Sequence, residues 1–202
     1  AMGVHLLIGD EESILRAKAH DLVHQLIGAG ERSLMVDEFD GDEYELRQVA
    51  DAAQTMPFLT DKRVVVARDI GRFKTDDLAP LVHYLDNPLD STDLVLVAGG
   101  GKLLKQLTDA VKACGGHTVS TTPPNRAKDR QTWVRVEAEE HGLRLDGGAA
   151  ARIAAQLGED AGRLEGLIGV LRSTYGDGVR IGVADVEPFL GEAGGVPPWD
   201  FT

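Results

Sequence analysis

Two short stretches of the chain carry an apolar residue at every position: Val64-Val65-Val66 and Leu94-Val95-Leu96-Val97. Successive side chains of a strand point to opposite faces, so these stretches have no face to give to water. A strand of this kind must be covered on both sides, which is the situation of a parallel sheet between layers of helix. The first part of the chain agrees with that architecture. Apolar runs bounded by turn residues occur at Val4–Ile8, Leu34–Val36, Arg63–Ala67, Asp93–Ala98 and, more weakly, Thr118–Val119. Segments of helical period lie between them. Glu11–Ile27 aligns Leu15, Ala19, Leu22, Val23 and Leu26 on one stripe, and Glu43–Ala53 aligns Leu46, Val49, Ala50 and Ala53. Asp77–Leu85 and Leu103–Ala113 complete the set. Each strand–helix–strand unit is expected to cross over right-handed.

The pattern changes at Thr121-Thr122-Pro123-Pro124-Asn125, a stiff linker in which proline fixes φ and restricts the residue before it. No further strand is expected beyond it. Helices are predicted over Arg126–His141, Asp146–Leu157, Asp160–Tyr175 and Val183–Leu190, with Trp133, Val136, Ile153, Leu157, Leu164, Leu167 and Leu171 in their core. The domain boundaries predicted are therefore 1–122 for an α/β domain, 123–192 for a small helical domain, and 193–202 for a linker and the start of a further domain. The last of these rests on Gly194-Gly195-Val196-Pro197-Pro198 followed by Trp199 and Phe201, large aromatics that are costly to leave in water. Ala1 ahead of Met2 reads as a residue left by a cloning vector.

Composition narrows the function. An apolar fraction of 43% with 27% charged residues supports a packed core, and a net charge of −12 argues against a dedicated nucleic-acid surface, which would carry a basic excess. The single cysteine, Cys114, cannot form an internal disulfide, which suits a cytoplasmic location. No apolar run approaches the ~18 residues of a membrane span, and the amino terminus lacks the basic-then-apolar layout of a signal peptide.

Where a strand turns into a helix after Ile8, a phosphate-binding loop would need several glycines and a lysine. The chain instead has Gly9-Asp10-Glu11-Glu12-Ser13. Three carboxylates would repel phosphates there, although carboxylates at a helix start also simply complement its dipole. The Gly99-Gly100-Gly101-Lys102 turn offers a superficial phosphate cradle, but Leu96 and Leu103 stand where the full motif needs a glycine and a hydroxyl residue. His20-Asp21-Leu22-Val23-His24 resembles a zinc-binding helix, yet both histidines fall beside the buried stripe and no third ligand is evident. The acid-rich segment from Asp37 to Glu45 is read as a loop and a helix start, because Phe39 occupies a position where a calcium loop needs oxygen. Arg126, Lys128, Arg130 and Arg135 form a basic edge that fits a solvated helix face. No catalytic residue, cofactor site or metal site is identified.

The most suggestive segment is Gln54-Thr55-Met56-Pro57-Phe58-Leu59, in a short loop between an expected helix and the strand at Arg63. Its consecutive apolar residues either tuck beneath the sheet or form an exposed hydrophobic tip, which would mark a partner site. Patterning leaves both open.

Taken together, the chain resembles the delta subunit of the bacterial DNA polymerase III clamp loader. The resemblance rests on Leu6-Leu7-Ile8-Gly9-Asp10-Glu11, on Met56-Pro57-Phe58-Leu59 followed by Lys62-Arg63-Val64-Val65-Val66, on Asp86-Asn87-Pro88 before Thr92-Asp93-Leu94-Val95-Leu96, and on Trp133 and Asp185-Val186-Glu187 further along. It implies an AAA+-like parallel-sheet domain of P-loop NTPase type without a working phosphate loop, then a helical domain, with a collar domain beyond that joins the motor and delta-prime subunits. It also implies a protein without ATPase activity of its own that binds and opens the ring-shaped sliding clamp, with DNA contacted only indirectly and no membrane involved. By motif position the clamp-binding residues are Gln54, Met56, Pro57, Phe58 and Leu59, with Phe58 and Leu59 as the anchors; the family peptide often ends Leu-Phe where this one ends Phe-Leu. The composition suits a GC-rich, actinobacterial source. The alternatives are a nucleotide-dependent ATPase using the Gly99–Lys102 loop and a passive scaffold with Phe58 and Leu59 buried.

Overall fold

The computed structural model describes residues 3–100, 103–158 and 160–191. The chain divides into two compact units, Ala1–Thr122 and Pro123–Thr202.

The first unit is built on a five-stranded parallel sheet of order β2-β3-β4-β1-β5. Its strands are β1 (Val4–Gly9), β2 (Val36–Phe39), β3 (Arg63–Ala67), β4 (Thr92–Gly99) and β5 (His117–Ser120). Helices α1 (Glu12–Ile27), α2 (Arg32–Met35), α3 (Leu46–Gln54), α4 (Ala79–Asp86) and α5 (Lys105–Ala113) connect them. The apolar runs behave as strand geometry requires. Val65, Leu94 and Leu96 point into a core shared with α3, α4 and α5, while Val64, Val66, Val95 and Val97 point into a second core shared with α1. The α1 stripe buries Leu15, Ala19 and Val23 and packs Leu22 and Leu26 against the same cluster.

Two expectations in this unit are corrected. Of the expected strand Leu34–Val36 only Val36 is in a strand: Leu34 lies half exposed in the short helix α2, and the strand runs on from Val36 to Phe39, into the segment read as a loop. An edge strand needs no continuous apolar run, and charges on an edge discourage stray pairing. Here Asp37 and Glu38 face basic residues of β3 and its end, with Arg63–Asp37 at 3.1 Å and Arg68–Glu38 at 2.8 Å. The expected helix Asp77–Leu85 is broken into a 3-10 turn at Thr75–Asp77 and α4, whose Pro80 sits in the first turn, where its missing N–H costs nothing.

The second unit holds α6 (Ala127–Glu140), α7 (Gly147–Leu157), α8 (Ala161–Tyr175) and α9 (Val183–Leu190). It also contains strands where none was expected: β6 (Arg144–Leu145) and β7 (Arg180–Ile181) form a short parallel pair. Two residues apiece are too few to show a period-two pattern. The Asp146 N–H donates to the Ile181 carbonyl, and the Asp146 side chain accepts from Ala149 N–H to start α7. Ile153, Leu157, Leu164 and Leu171 are buried as expected, and Trp133 and Leu167 pack against them. Val136 is not in this core; it is 44% exposed, and Val134 and Ala138 occupy the inward face of α6 instead. The inward stripe of α6 carries only small residues beside Trp133, so its phase is faint in sequence.

At the junction of β1 and α1 only Asp10 and Glu11 intervene, and the closure is tight. A Cβ on Gly9 would lie 1.9 Å from Thr121 Oγ1 and 3.2 Å from Leu15 Cγ. Gly9→Ala is therefore expected to destabilise the first unit by about 1–3 kcal/mol through overpacking. In the Gly9→Ala/Thr121→Ala pair the loss should be smaller than the sum of the two single losses, as read by denaturant unfolding. Strict additivity would contradict the contact.

Candidate functional site

Helix α3 delivers the chain to the segment from Gln54 to Leu59. Its start is fixed by Gln48, whose side-chain oxygen accepts from Glu45 N–H at 2.8 Å. Its buried face, Leu46, Val49, Ala50 and Ala53, docks it against the sheet. It stops at Thr55, whose backbone N–H and side-chain hydroxyl both donate to the Asp51 carbonyl. Pro57 then forbids a return to helix, because it disfavours helical backbone at Met56.

Beyond Thr55 the chain forms an exposed apolar tip. Phe58 is 94% exposed, and Met56 and Leu59 are each 71% exposed. Gln54 and Thr55 are exposed as well, and Pro57 is half-buried. The alternative in which Phe58 and Leu59 tuck under the sheet does not occur. An exposed Phe forgoes roughly 1.5–3 kcal/mol that burial would return, so three large apolar side chains in one tip form a patch suited to a partner.

The return limb of the loop is tied to the sheet. Thr60 Oγ1 donates to the Lys62 carbonyl, and Arg63 N–H donates to the Ser91 carbonyl at 2.9 Å. Lys62 Nζ lies 3.6 Å from Asp93 Oδ2. Asp93 is fully buried; its Oδ1 accepts from Gly3 N–H at 2.8 Å and lies 3.6 Å from His5 Nε2. Burial pushes the Asp93 carboxyl upward, but the His5 ring, the Gly3 N–H and the Lys62 charge outweigh that and hold it below its ordinary value of 3.8. Sequence reasoning missed this group. The signal was present as an acid at the second position of a strand otherwise apolar to its end.

The other candidates are placed as follows. Asp10 and Glu11 are exposed, and Asp10 N–H donates to Thr122 Oγ1 at 3.2 Å. The backbone donor nearest β1 is thus already engaged, and the turn is too short to wrap a phosphate. Gly99 ends β4 and Gly100 follows it, while Gly101 and Lys102 lie outside the described residues. His20 and His24 are both exposed on α1, and the described residues contain no cluster of three metal-ligating side chains. Arg130 donates to the carbonyls of Pro124 and Asn125, pinning the linker to the start of α6. Trp199 and the rest of the segment 193–202 lie outside the described residues. No described helix is long and apolar enough to cross a membrane.

Comparison with known proteins bears on this geometry. Residues 5–119 match the family described as DNA polymerase III, delta subunit, a span from β1 into β5 that includes the tip. The curated DNA polymerase III subunit delta of Bacillus subtilis is 25% identical over 169 residues, 74% of this chain and 49% of that protein. Among solved structures, the Bacillus subtilis DNA clamp loader delta protein is similar with a TM-score of 0.70 at 21% identity, covering 96% of this chain and 59% of the other. A gamma subunit-related protein of DNA polymerase III from Thermotoga maritima is more distant, with a TM-score of 0.47, 22% identity, and coverage of 85% and 58%. The chain thus spans between 49% and 59% of the length of the two Bacillus proteins it matches.

The Asp93 cluster makes a pH prediction. A carboxyl whose folded pKa is depressed adds stability that is present above its unfolded value and lost as pH falls through the lower folded value. Stability should therefore drop as pH falls below about 3.8. Asp93→Asn should lower stability near neutrality by about 1–3 kcal/mol and flatten that acid limb, read from thermal melts across pH. An unchanged acid limb would contradict the assignment.

Proposed function

The chain belongs to the DNA polymerase III delta-subunit family, and on that premise we propose that it is a clamp-loader subunit that binds the ring-shaped sliding clamp through the tip Gln54–Leu59 and favours the ring's open form during replication. The observation that carries this reading is the exposure of Met56, Phe58 and Leu59 just beyond a helix packed on the sheet. Phe58 and Leu59 are the anchors that would enter an apolar pocket on the clamp. Met56 and Gln54 would flank them, with half-buried Pro57 fixing the direction of the turn. Adjacent large anchors, with the aromatic one fully solvated beforehand, gain the most from desolvation in such a pocket.

Opening a ring by this route requires no bond to be made or broken. The subunit has only to bind the open ring more tightly than the closed one, since only differential affinity moves a conformational equilibrium. ATP hydrolysis is assigned to motor subunits of the assembly. The short, acidic junction between β1 and α1, with Asp10 N–H already committed to Thr122, supports that division. The 1–122 unit would be the clamp-binding domain, the 123–192 unit a helical domain of the same subunit, and contacts to the motor and delta-prime subunits would lie in a collar domain beyond it. A cytoplasmic location follows from the same reading.

The test is a binding titration with the cognate sliding clamp. Phe58→Ala with Leu59→Ala should weaken binding by at least a hundredfold, at about 2 kcal/mol or more for a central anchor. The melting temperature should stay unchanged, because neither side chain supports the core. Wild-type binding by the double variant would contradict the proposal.

A further inference from the structure

The loop that carries the tip begins and ends at residues held together by one side chain. Arg63, the first residue of β3, reaches back across the loop and donates from Nη1 to the Ala52 carbonyl in the last turn of α3 at 3.3 Å. The same nitrogen lies 3.1 Å from Asp37 Oδ2 on β2. Its side chain is 23% exposed, while Asp37, on the edge strand, is nearly half exposed. On the adjacent residue, Lys62 anchors the same limb to the buried Asp93. The outgoing limb is closed by Thr55, which returns two hydrogen bonds to Asp51. Each contact lies at the base of the loop, and none reaches Met56, Phe58 or Leu59, which are left bare.

This arrangement has a physical consequence for binding. A loop with free stems would let three apolar side chains collapse onto nearby surface and would lose that freedom again on meeting a partner. Ordering a flexible segment at an interface carries an entropic cost for each immobilised side chain. A clasp across the loop's base removes part of that cost in advance. The cation also suits its place, because the C-terminal end of a helix carries partial negative charge.

We infer that Arg63 is a positioning residue for the hydrophobic tip: by bridging the Ala52 carbonyl and Asp37 it holds the ends of the loop at a fixed separation and keeps Phe58 and Leu59 presented to the partner. This inference rests on the proposed clamp-binding role of the tip, but the clasp itself is a property of the free chain. Lys62 secures the same limb to the sheet, and Arg63 joins it to the helix that delivers the tip.

The experiment combines amide hydrogen exchange on the free chain with a titration against the cognate sliding clamp. Arg63→Met keeps the apolar stem and removes the donors. It should speed exchange of the Thr55 amide at least severalfold while the sheet amides of Val64 to Val66 stay protected, and it should weaken clamp binding by about tenfold. Arg63→Lys, which retains a cation able to reach one partner at a time, should recover part of both losses. Asp37→Asn, on the exposed edge strand, removes one partner without touching β3 and should give a smaller loss of the same kind, so the question stays answerable if Arg63→Met fails to fold. Unchanged Thr55 exchange and unchanged affinity in the variants would overturn the inference. So would a uniform loss of protection across the sheet with wild-type affinity, because that describes a purely structural arginine. If the unmodified chain fails to bind the clamp, the functional reading falls; accelerated Thr55 exchange in Arg63→Met would then still uphold the clasp, and unchanged exchange would remove it too.

Discussion

Everything in the first unit depends on the central strands being dry on both faces. Val64, Val65 and Val66 of β3 and Leu94, Val95 and Leu96 of β4 have no exposed surface, and they feed alternately into a core beneath α3, α4 and α5 and a core beneath α1. Each strand residue thus makes a helix on one side or the other necessary. A parallel sheet forces long connections, and those connections are the helices that cover it. The loops between helix and strand are left at the rim, and one of them carries the tip. That loop is held at both ends, since α3 enters it from a packed position and β3 leaves it into the buried core.

Against that background the tip is the exception that calls for an explanation. The unit buries nearly every large apolar residue it can, yet leaves Met56, Phe58 and Leu59 in water close to a strand whose Val64–Ala67 stretch is completely buried. Charged groups lie in the same neighbourhood. Asp93 sits without solvent contact at the start of β4, held ionised by Gly3 N–H, His5 and Lys62, and Arg63, next to Lys62 on the same limb, ties that limb to α3. A buried carboxylate is costly unless its partners are well placed. Here Lys62 Nζ, 3.6 Å from Asp93 Oδ2, ties the limb that leads out of the tip to the sheet. Family membership and an exposed, anchored apolar tip together support a protein that acts by contact.

Much of the fold was legible because its signals are dense. Fully apolar strands, the α1 stripe at Leu15, Ala19 and Val23, and the proline-rich linker each follow from one physical rule. The failures occurred where the signal was thin. The edge strand Val36–Phe39 hides its identity because Asp37 and Glu38 are satisfied by arginines distant in sequence, and periodicity does not register such pairing. The bridge between Arg144–Leu145 and Arg180–Ile181 is too short for any pattern. Val136 was misplaced by rotating α6 toward its larger side chains. For the candidate site, the identity of the tip residues was readable, but their exposure was not, since a run of apolar residues in a loop fits either fate. The clasp residues were invisible as such: Arg63, Asp37 and Ala52 become neighbours only once β2, β3 and α3 are packed.

The central claim, that this tip is the surface that meets the sliding clamp, is tested most directly by oxidative footprinting of side chains in the free chain and in its mixture with the cognate clamp. The account predicts that Met56 and Phe58 label readily in the free chain and are protected severalfold or more in the complex, while exposed apolar residues of the second unit such as Val170 keep their labelling. A complex that forms while Met56 and Phe58 remain as reactive as in the free chain would contradict it.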